Sequence, residues 1–130
     1  MLISAYSRWL IVFVCFAIFA SPPTVKAETM HLMGLANLKC ADFNSVASKR
    51  KQSEQGTLEW IEYRTYIGGY FTGFNTAQKV FGGDGMTGSK TSIEKMTRWL
   101  EAYCTDNPQH SFNRALQTLT QSVIRIESGS

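Results

Sequence analysis

The chain has 130 residues, with 13 lysines and arginines against 10 aspartates and glutamates. This excess of positive charge is too small for a protein that binds nucleic acid or anionic lipid, and only Lys49, Arg50 and Lys51 form a cluster. No zinc-finger spacing, ribonucleoprotein aromatic motif or basic helix is present either. The length is typical of a single domain, without repeats or low-complexity tracts.

The first 27 residues have the three parts of a secretory signal peptide: the basic Arg8, an apolar run from Trp9 to Ala20, and the end Val25-Lys26-Ala27. The apolar run covers about 12 residues, whereas a helix needs roughly 20 to cross a bilayer. We expect cleavage before Glu28, export to the periplasm, and a mature domain of residues 28–130 that is not attached to a membrane.

Cleavage would reduce the number of cysteines from three to two, because Cys15 lies in the apolar run. An even pair in an exported chain, Cys40 and Cys104, predicts one disulfide. A metal site is not predicted, because neither His31 nor His110 has the spacing of a ligand from a cysteine or a carboxylate pair. Closing a loop of about 65 residues by a disulfide would stabilise the fold by roughly 4 kcal/mol.

Apolar residues spaced by three or four predict one or two short helices between His31 and Ser48, followed by a polar linker from Lys49 to Gly56. A second, longer helix is predicted from Thr57, as N-cap, to about Val80. The apolar residues of this helix recur at helical spacing, and they include Leu58, Ile61, Tyr66, Gly69, Tyr70, Gly73, Phe74, Ala77 and Phe81.

The stretch YIGGYFTGF, from Tyr66 to Phe74, contains three glycines and lies inside this long helix. Gly69, Gly73 and Ala77 are four residues apart, so they share one smooth face against which another helix can pack closely. The same spacing drives dimers in membranes, but only within an apolar segment, which the charges of this helix exclude. Since each glycine inside a helix costs about 1 kcal/mol relative to alanine, we expect helix packing to compensate, with a ligand cavity as the alternative.

A glycine-rich segment, FGGDGMTGSKTS, follows the long helix. Gly83 and Gly88 are separated as in a phosphate-binding loop, but Lys90 comes one residue too late, and the segment follows a helix instead of a strand. We therefore predict an exposed, flexible loop that binds neither a nucleotide nor another cofactor.

The third helix is predicted to begin at Thr91 or Ser92, with Thr91 and Glu94 forming a capping box. A fourth helix is predicted directly after it, with Asn107 as N-cap and Pro108 at the first helical position. The predicted fold is therefore all-α, a small single-domain bundle of four to five helices with one disulfide. The apolar faces of the last two helices are predicted to contain Ile93, Met96, Leu100, Tyr103 and Cys104, and Phe112, Ala115, Leu116, Leu119, Val123 and Ile126.

Several short motifs resemble the HdeA/HdeB-like small periplasmic proteins. They are KCADF at Lys39 to Phe43, Trp60 with Gly69, Tyr70 and Gly73, and WLEAYCTDNP at Trp99 to Pro108. The resemblance spans most of the mature chain. It implies an all-helical domain with a disulfide between Cys40 and Cys104, and the characterised members are ATP-independent acid-stress chaperones. A weaker resemblance, through the GY-x-x-G segment, is to the Tai-like immunity proteins that neutralise type VI secretion effectors.

No local pattern places a nucleophile beside a base, so we expect a non-enzymatic protein-binding function. The first expectation is an acid-stress chaperone, because the side-chain charge of the mature chain would rise from +1 (13 positive residues less Arg8 and Lys26, against 10 negative) to about +13 near pH 2. The alternative is an immunity protein that binds and inhibits a secreted toxin. Both functions are compatible with a homodimer of this chain. The residues predicted to contact the protein partner, whether unfolded clients or a toxin, are Trp60, Tyr70, Phe74, Gly83, Asp84 and Trp99.

Overall fold

Four α-helices and one short 3-10 helix, Gly34–Asn37, form the part of the chain that the structure describes, residues 34–129. The structure is a computed structural model, and the predicted signal peptide lies outside the described residues. Within residues 34–129, no helix is long and apolar enough to span a membrane. The α-helices are α1 (Cys40–Lys49), α2 (Glu54–Val80), α3 (Ile93–Asp106) and α4 (Phe112–Ser128).

The starts of α1 and α4 are held together by backbone hydrogen bonds. The Cys40 amide donates to the His110 carbonyl at 2.9 Å, and the Phe112 amide donates to the Leu38 carbonyl at 2.8 Å. The disulfide between Cys40 and Cys104 joins the same end of α1 to the last turn of α3, with 4.7 Å between the two Cα atoms. The predicted disulfide and the predicted all-helical class are thus confirmed.

The core is centred on three aromatic rings that contact one another, Phe43 of α1, Tyr63 of α2 and Phe112 of α4. Their ring centroids lie 5.0 Å to 5.2 Å apart. Burial, together with the charges of Asp42 and Glu59, raises the pKa of Tyr63 to about 12. The Tyr63 phenol is therefore neutral in the folded protein, and the stability associated with this state is lost only as the pH rises from about 10 towards 12.

Helix α2 buries a different face from the one that its sequence spacing predicts. Leu58 and Ile61, which belong to the predicted apolar stripe, are each 51% exposed. Helix α2 carries apolar residues on two opposite faces, so periodicity alone does not show which face meets the core. The residues that the helix buries are Gly56, Tyr63, Ile67 and Phe71.

The prediction that a helix packs closely against Gly69, Gly73 and Ala77 is wrong for the described part of the chain. All three residues are exposed, and a side chain added at Gly69 or Gly73 would meet no atom of another element within 4 Å. The reason is angular, because Gly69 lies two positions from both Ile67 and Phe71, about 200° around the helix from each buried residue. The stripe therefore faces away from the core.

We accordingly expect Gly73→Ala to stabilise the fold by about 0.5–1 kcal/mol, since alanine loses less backbone entropy in a helix and meets no neighbour here. Gly56→Ala is the matched control, because its new methyl group would lie 2.5 Å from the Lys49 carbonyl oxygen. That variant should be destabilised by about 1–3 kcal/mol. Urea unfolding of both variants measures the difference, and a destabilised Gly73→Ala would mean that the stripe is covered.

The long helix begins earlier than its predicted N-cap, Thr57. Ser53 is the N-cap, and its hydroxyl accepts a hydrogen bond from the Gly56 amide at 3.0 Å. Thr57 lies inside the helix and donates its hydroxyl to the Arg50 carbonyl at 2.9 Å. The predicted linker is thus divided: Lys49 ends α1, and Glu54 to Gly56 form the first turn of α2.

The predicted start of the fourth helix, with Asn107 as N-cap and Pro108 in the first turn, is also wrong. Asn107 instead ends α3, where its side-chain amide donates to the Tyr103 carbonyl at 2.9 Å. The Pro108 carbonyl accepts a hydrogen bond from an amide of α1, and Ser111 is the N-cap of α4. Asparagine can satisfy either end of a helix, which explains the difference. For the third helix, the N-cap is Ser92, one of the two predicted residues.

Candidate partner-binding site

The loop between α2 and α3 has a backbone that requires glycine at defined positions. Gly85 and Gly88 have φ angles of +65° and +88°. A side chain at Gly85 would lie 2.9 Å from the Asn75 carbonyl oxygen, and one at Gly88 would lie 2.9 Å from the Met96 methyl group. These glycines therefore allow the loop to lie directly against α2 and α3.

Three hydrogen-bonding side chains hold the loop on the helices. The Asn75 side-chain amide donates to the Thr87 carbonyl at 3.0 Å, and the buried Thr87 hydroxyl donates to the Gln78 side chain at 3.1 Å. The third is Glu127 in the last turn of α4. Its carboxylate accepts hydrogen bonds from the Gly88 amide at 2.9 Å and the Lys90 amide at 2.8 Å.

In a phosphate-binding loop, backbone amides bind the phosphate of the ligand. In this chain two of these amides bind a carboxylate of the protein itself, and the Lys90 ammonium donates to the Glu127 carbonyl at 3.3 Å. The sequence contained a signal for this role, because an acidic residue in the last turn of a helix is unfavourable for the helix dipole. Glu127 was not among the predicted site residues.

We expect Glu127→Gln to loosen the loop without unfolding the helices, because a neutral amide oxygen is a weaker acceptor than a carboxylate for two N–H groups. Hydrogen exchange at the Gly88 and Lys90 amides should become at least about tenfold faster. Asp106→Asn, an exposed acidic residue at the end of α3, is the control and should leave both rates unchanged. Unchanged exchange in Glu127→Gln would show that the carboxylate does not hold the loop.

The anchored loop exposes large apolar side chains to solvent. Phe81 is 88% exposed and Val80 is 75% exposed at the end of α2, and Met86 in the loop is 56% exposed. Asp84 and Met86 line one shallow cavity together with Ile124 of α4. We call Val80, Phe81, Asp84, Met86 and Ile124 the loop surface. The predicted partner residues Gly83 and Asp84 are exposed within this loop.

The four aromatic residues predicted to contact a partner are all half-buried. Trp60 packs against Phe43 and lies under the Arg50 guanidinium, which is 4.8 Å from the centre of the indole ring. Trp99 stacks on a tyrosine of α3 with 5.2 Å between ring centroids. Each of these contacts stabilises the domain. The half-buried residues are Trp60, Tyr70, Phe74 and Trp99.

Among residues 34–129, the most exposed aromatic residue is Phe81, which the sequence analysis placed on an apolar helix stripe instead of a contact surface. Phe81 directly follows α2 as its C-cap, so the helix ends before this side chain can turn towards the core. Spacing alone does not distinguish a buried position near a helix end from an exposed one. Met86 was missed for a related reason, since a single methionine in a glycine-rich loop has no periodic pattern to assess.

Two ion pairs connect α3 to neighbouring elements, one through Glu94 in its first turn and one through Glu101 in its second half. Arg50 and Glu101 form one, at 2.9 Å, and Arg64 and Glu94 form the other. The pKa of Glu94 is lowered, mainly by hydrogen bonding from its own backbone amide and also by the Ser92 hydroxyl and the Arg64 charge. A lowered pKa means that the Glu94 carboxylate favours the folded state at neutral pH, and this contribution is lost as the pH falls through the lowered value.

Residues 34–129 contain no group of three or more His, Cys, Asp or Glu side chains that could hold a metal ion. His110 is instead hydrogen-bonded to the Tyr103 hydroxyl, with 2.9 Å between Nδ1 and the oxygen. No model of a known protein family matches the chain, and neither does a curated protein or a solved structure. The resemblances to HdeA/HdeB-like and Tai-like proteins therefore stay predictions.

Proposed function

We propose that the chain is an exported, non-enzymatic protein that binds one defined protein partner through the loop surface, in the manner of an immunity protein that inhibits a secreted toxin. The observation that carries this proposal is the exposure of Val80 and Phe81 at the end of α2 and of Met86 in the following loop, whose backbone is anchored. Exposed apolar residues grouped on one part of a protein are typical of protein–protein interfaces.

The anchoring favours a defined partner over a range of unfolded clients. Glu127, Asn75 and Gln78 hold the loop before any partner arrives, so binding need not order it. An exposed phenylalanine on such a loop can enter a pocket of the partner as an anchor residue. The Asp84 carboxylate, which accepts a hydrogen bond from the Met86 amide at 3.0 Å, adds a negative charge beside this anchor.

The test is a pair of variants assayed for partner binding at neutral pH. Phe81→Ala combined with Met86→Ala should weaken binding at least about thirtyfold, the effect of removing an interface hot spot, and leave the circular dichroism spectrum unchanged. Leu58→Ala removes a side chain of similar exposure from the start of α2 and should bind normally. The partner is first captured from periplasmic extract, and its affinity for each purified variant is then measured.

Another way to test the loop surface would be to delete Gly83 to Thr87, but point substitutions are preferable. Thr87 is buried and its hydroxyl is hydrogen-bonded to Gln78, so the deletion would also disturb the packing of the loop on α2. The proposal fails if the double variant retains the partner with the affinity of the unmodified chain, or if no protein is retained at neutral pH.

An acid-stress chaperone is the second candidate, and a separate observation favours it. Carboxylates make three of the contacts between elements, namely Glu101 with Arg50, Glu94 with Arg64, and Glu127 with the loop amides. The contribution of the Glu94 carboxylate is lost as the pH falls through its lowered pKa, whereas the disulfide would persist and limit the expansion of the chain. The half-buried aromatic residues could then become accessible to unfolding clients without ATP.

The chaperone candidate is tested by mixing the oxidised protein with an acid-labile client at about pH 2–3 and measuring light scattering after neutralisation. A chaperone should bind a dye for exposed apolar surface at low pH and suppress client aggregation at equimolar ratio. Phe81→Ala with Met86→Ala should have little effect on this activity, because the surfaces involved open only in acid. Absence of either dye binding or suppression removes this candidate and leaves the neutral-pH assay as the deciding one.

A further inference from the structure

A groove between α3 and α4 has an apolar floor that is separate from the loop surface. Its volume is about 270 Å³. Met96 of α3 and Leu119 and Val123 of α4 form the floor, and each is less than one-tenth exposed. The Trp99 ring lines the groove as well. Small-molecule sites in proteins have this character, a mainly apolar concave surface with a few polar groups.

The polar groups around the groove are positively charged or hydroxyl-bearing. The Lys95 ammonium makes no hydrogen bond or ion pair with any residue of the described chain, and it lies in the first turn of α3, where the helix dipole is also positive. The hydroxyls of Thr91 and Ser122 line the same groove. Glu127 is the one acidic residue there, but its carboxylate already binds two loop amides.

We propose that this groove binds a single-chain amphiphile with a carboxylate head group, such as a free fatty acid of medium length. The alkyl chain would lie on Met96, Leu119 and Val123, and the carboxylate would pair with Lys95. Charge complementarity selects an anion, because the unpaired lysine and the helix dipole act in the same direction. The groove follows α4 for about 12 Å between Leu119 and Glu127, which suits one extended chain.

The ligand probe is decanoate below its micelle concentration, titrated by calorimetry and followed by the methyl resonances of Met96 and Val123. Saturable binding that shifts both resonances is the expected result. Decyltrimethylammonium, which has an alkyl chain of equal length and the opposite charge, should bind at least about tenfold more weakly. Equal binding of the two amphiphiles, or binding without a shift at Met96 and Val123, overturns the proposal.

Two charge-reversal variants complete the test. Lys95→Glu should weaken decanoate binding at least about tenfold, whereas Lys51→Glu, an exposed lysine outside the groove, should leave it unchanged. A loss in Lys95→Glu cannot be assigned to unfolding, because glutamate in the first turn of a helix is more favourable than lysine. Equal decanoate binding by Lys95→Glu and Lys51→Glu overturns the proposal. The proposal is also overturned if the unmodified protein binds phosphatidylglycerol vesicles but not monomeric decanoate. Neither result bears on the loop surface.

Discussion

Replacing Cys40 and Cys104 together by alanine is expected to lower the free energy of unfolding by roughly 4 kcal/mol, because the disulfide closes a loop with a sequence separation of 64. Both residues are fully buried in the core, and alanine leaves no unpaired polar group there. Since domains of this size are stable by about 5–15 kcal/mol, the variant should unfold at a much lower denaturant concentration. Guanidinium unfolding followed by circular dichroism measures the change.

The control for this variant is the unmodified protein unfolded in the presence of a thiol reductant. It should lose a similar free energy, since the covalent link and not the alanine side chain accounts for the effect. A loss below about 1 kcal/mol in both experiments would contradict the prediction, because it would mean that the unfolded chain without the disulfide is already nearly as restricted as the cross-linked one.

Phe112→Ala should cost about 3–5 kcal/mol, because the ring is fully buried and its removal leaves a cavity between Phe43 and Tyr63. Phe81→Ala is the matched control, with the same atoms removed from a side chain that is 88% exposed. We expect that variant to change stability by less than about 0.5 kcal/mol. Similar losses in both variants would contradict the assignment of Phe112 to the core and of Phe81 to the surface.

The helical class, the disulfide and the end of the long helix at Val80 could all be predicted from the sequence, because each depends on a local pattern or on cysteine parity. The choice of buried face in α2 could not. Leu58 and Ile61 are as apolar as Tyr63 and Ile67, but it is Tyr63 that contacts the rings of Phe43 and Phe112. Contacts between residues distant in sequence therefore determine which face of α2 is buried, whereas local periodicity does not.

The sequence predicted which segment of the chain carries the candidate site, but not which residues outside this segment contribute to it. Gly83 and Asp84 of the glycine-rich segment are exposed as expected, but hydrogen bonds anchor the segment where a flexible loop was predicted. Its anchor, Glu127, comes from a helix about forty residues further along the chain, as the contact with Gly88 across 39 positions shows. Neither that pairing nor the exposure of Phe81 follows from residue spacing, since both depend on how α2 and α4 meet in three dimensions.

The position of the loop relative to the disulfide has a consequence for proteolysis. Every residue of the loop lies between Cys40 and Cys104, so the loop belongs to a covalently closed ring. A protease that cleaved it once would produce two fragments still joined by the disulfide, and they would migrate as one species until a reductant was added. Such a nicked protein would keep its α1–α3 link, so a single cut in the loop would not separate the two fragments.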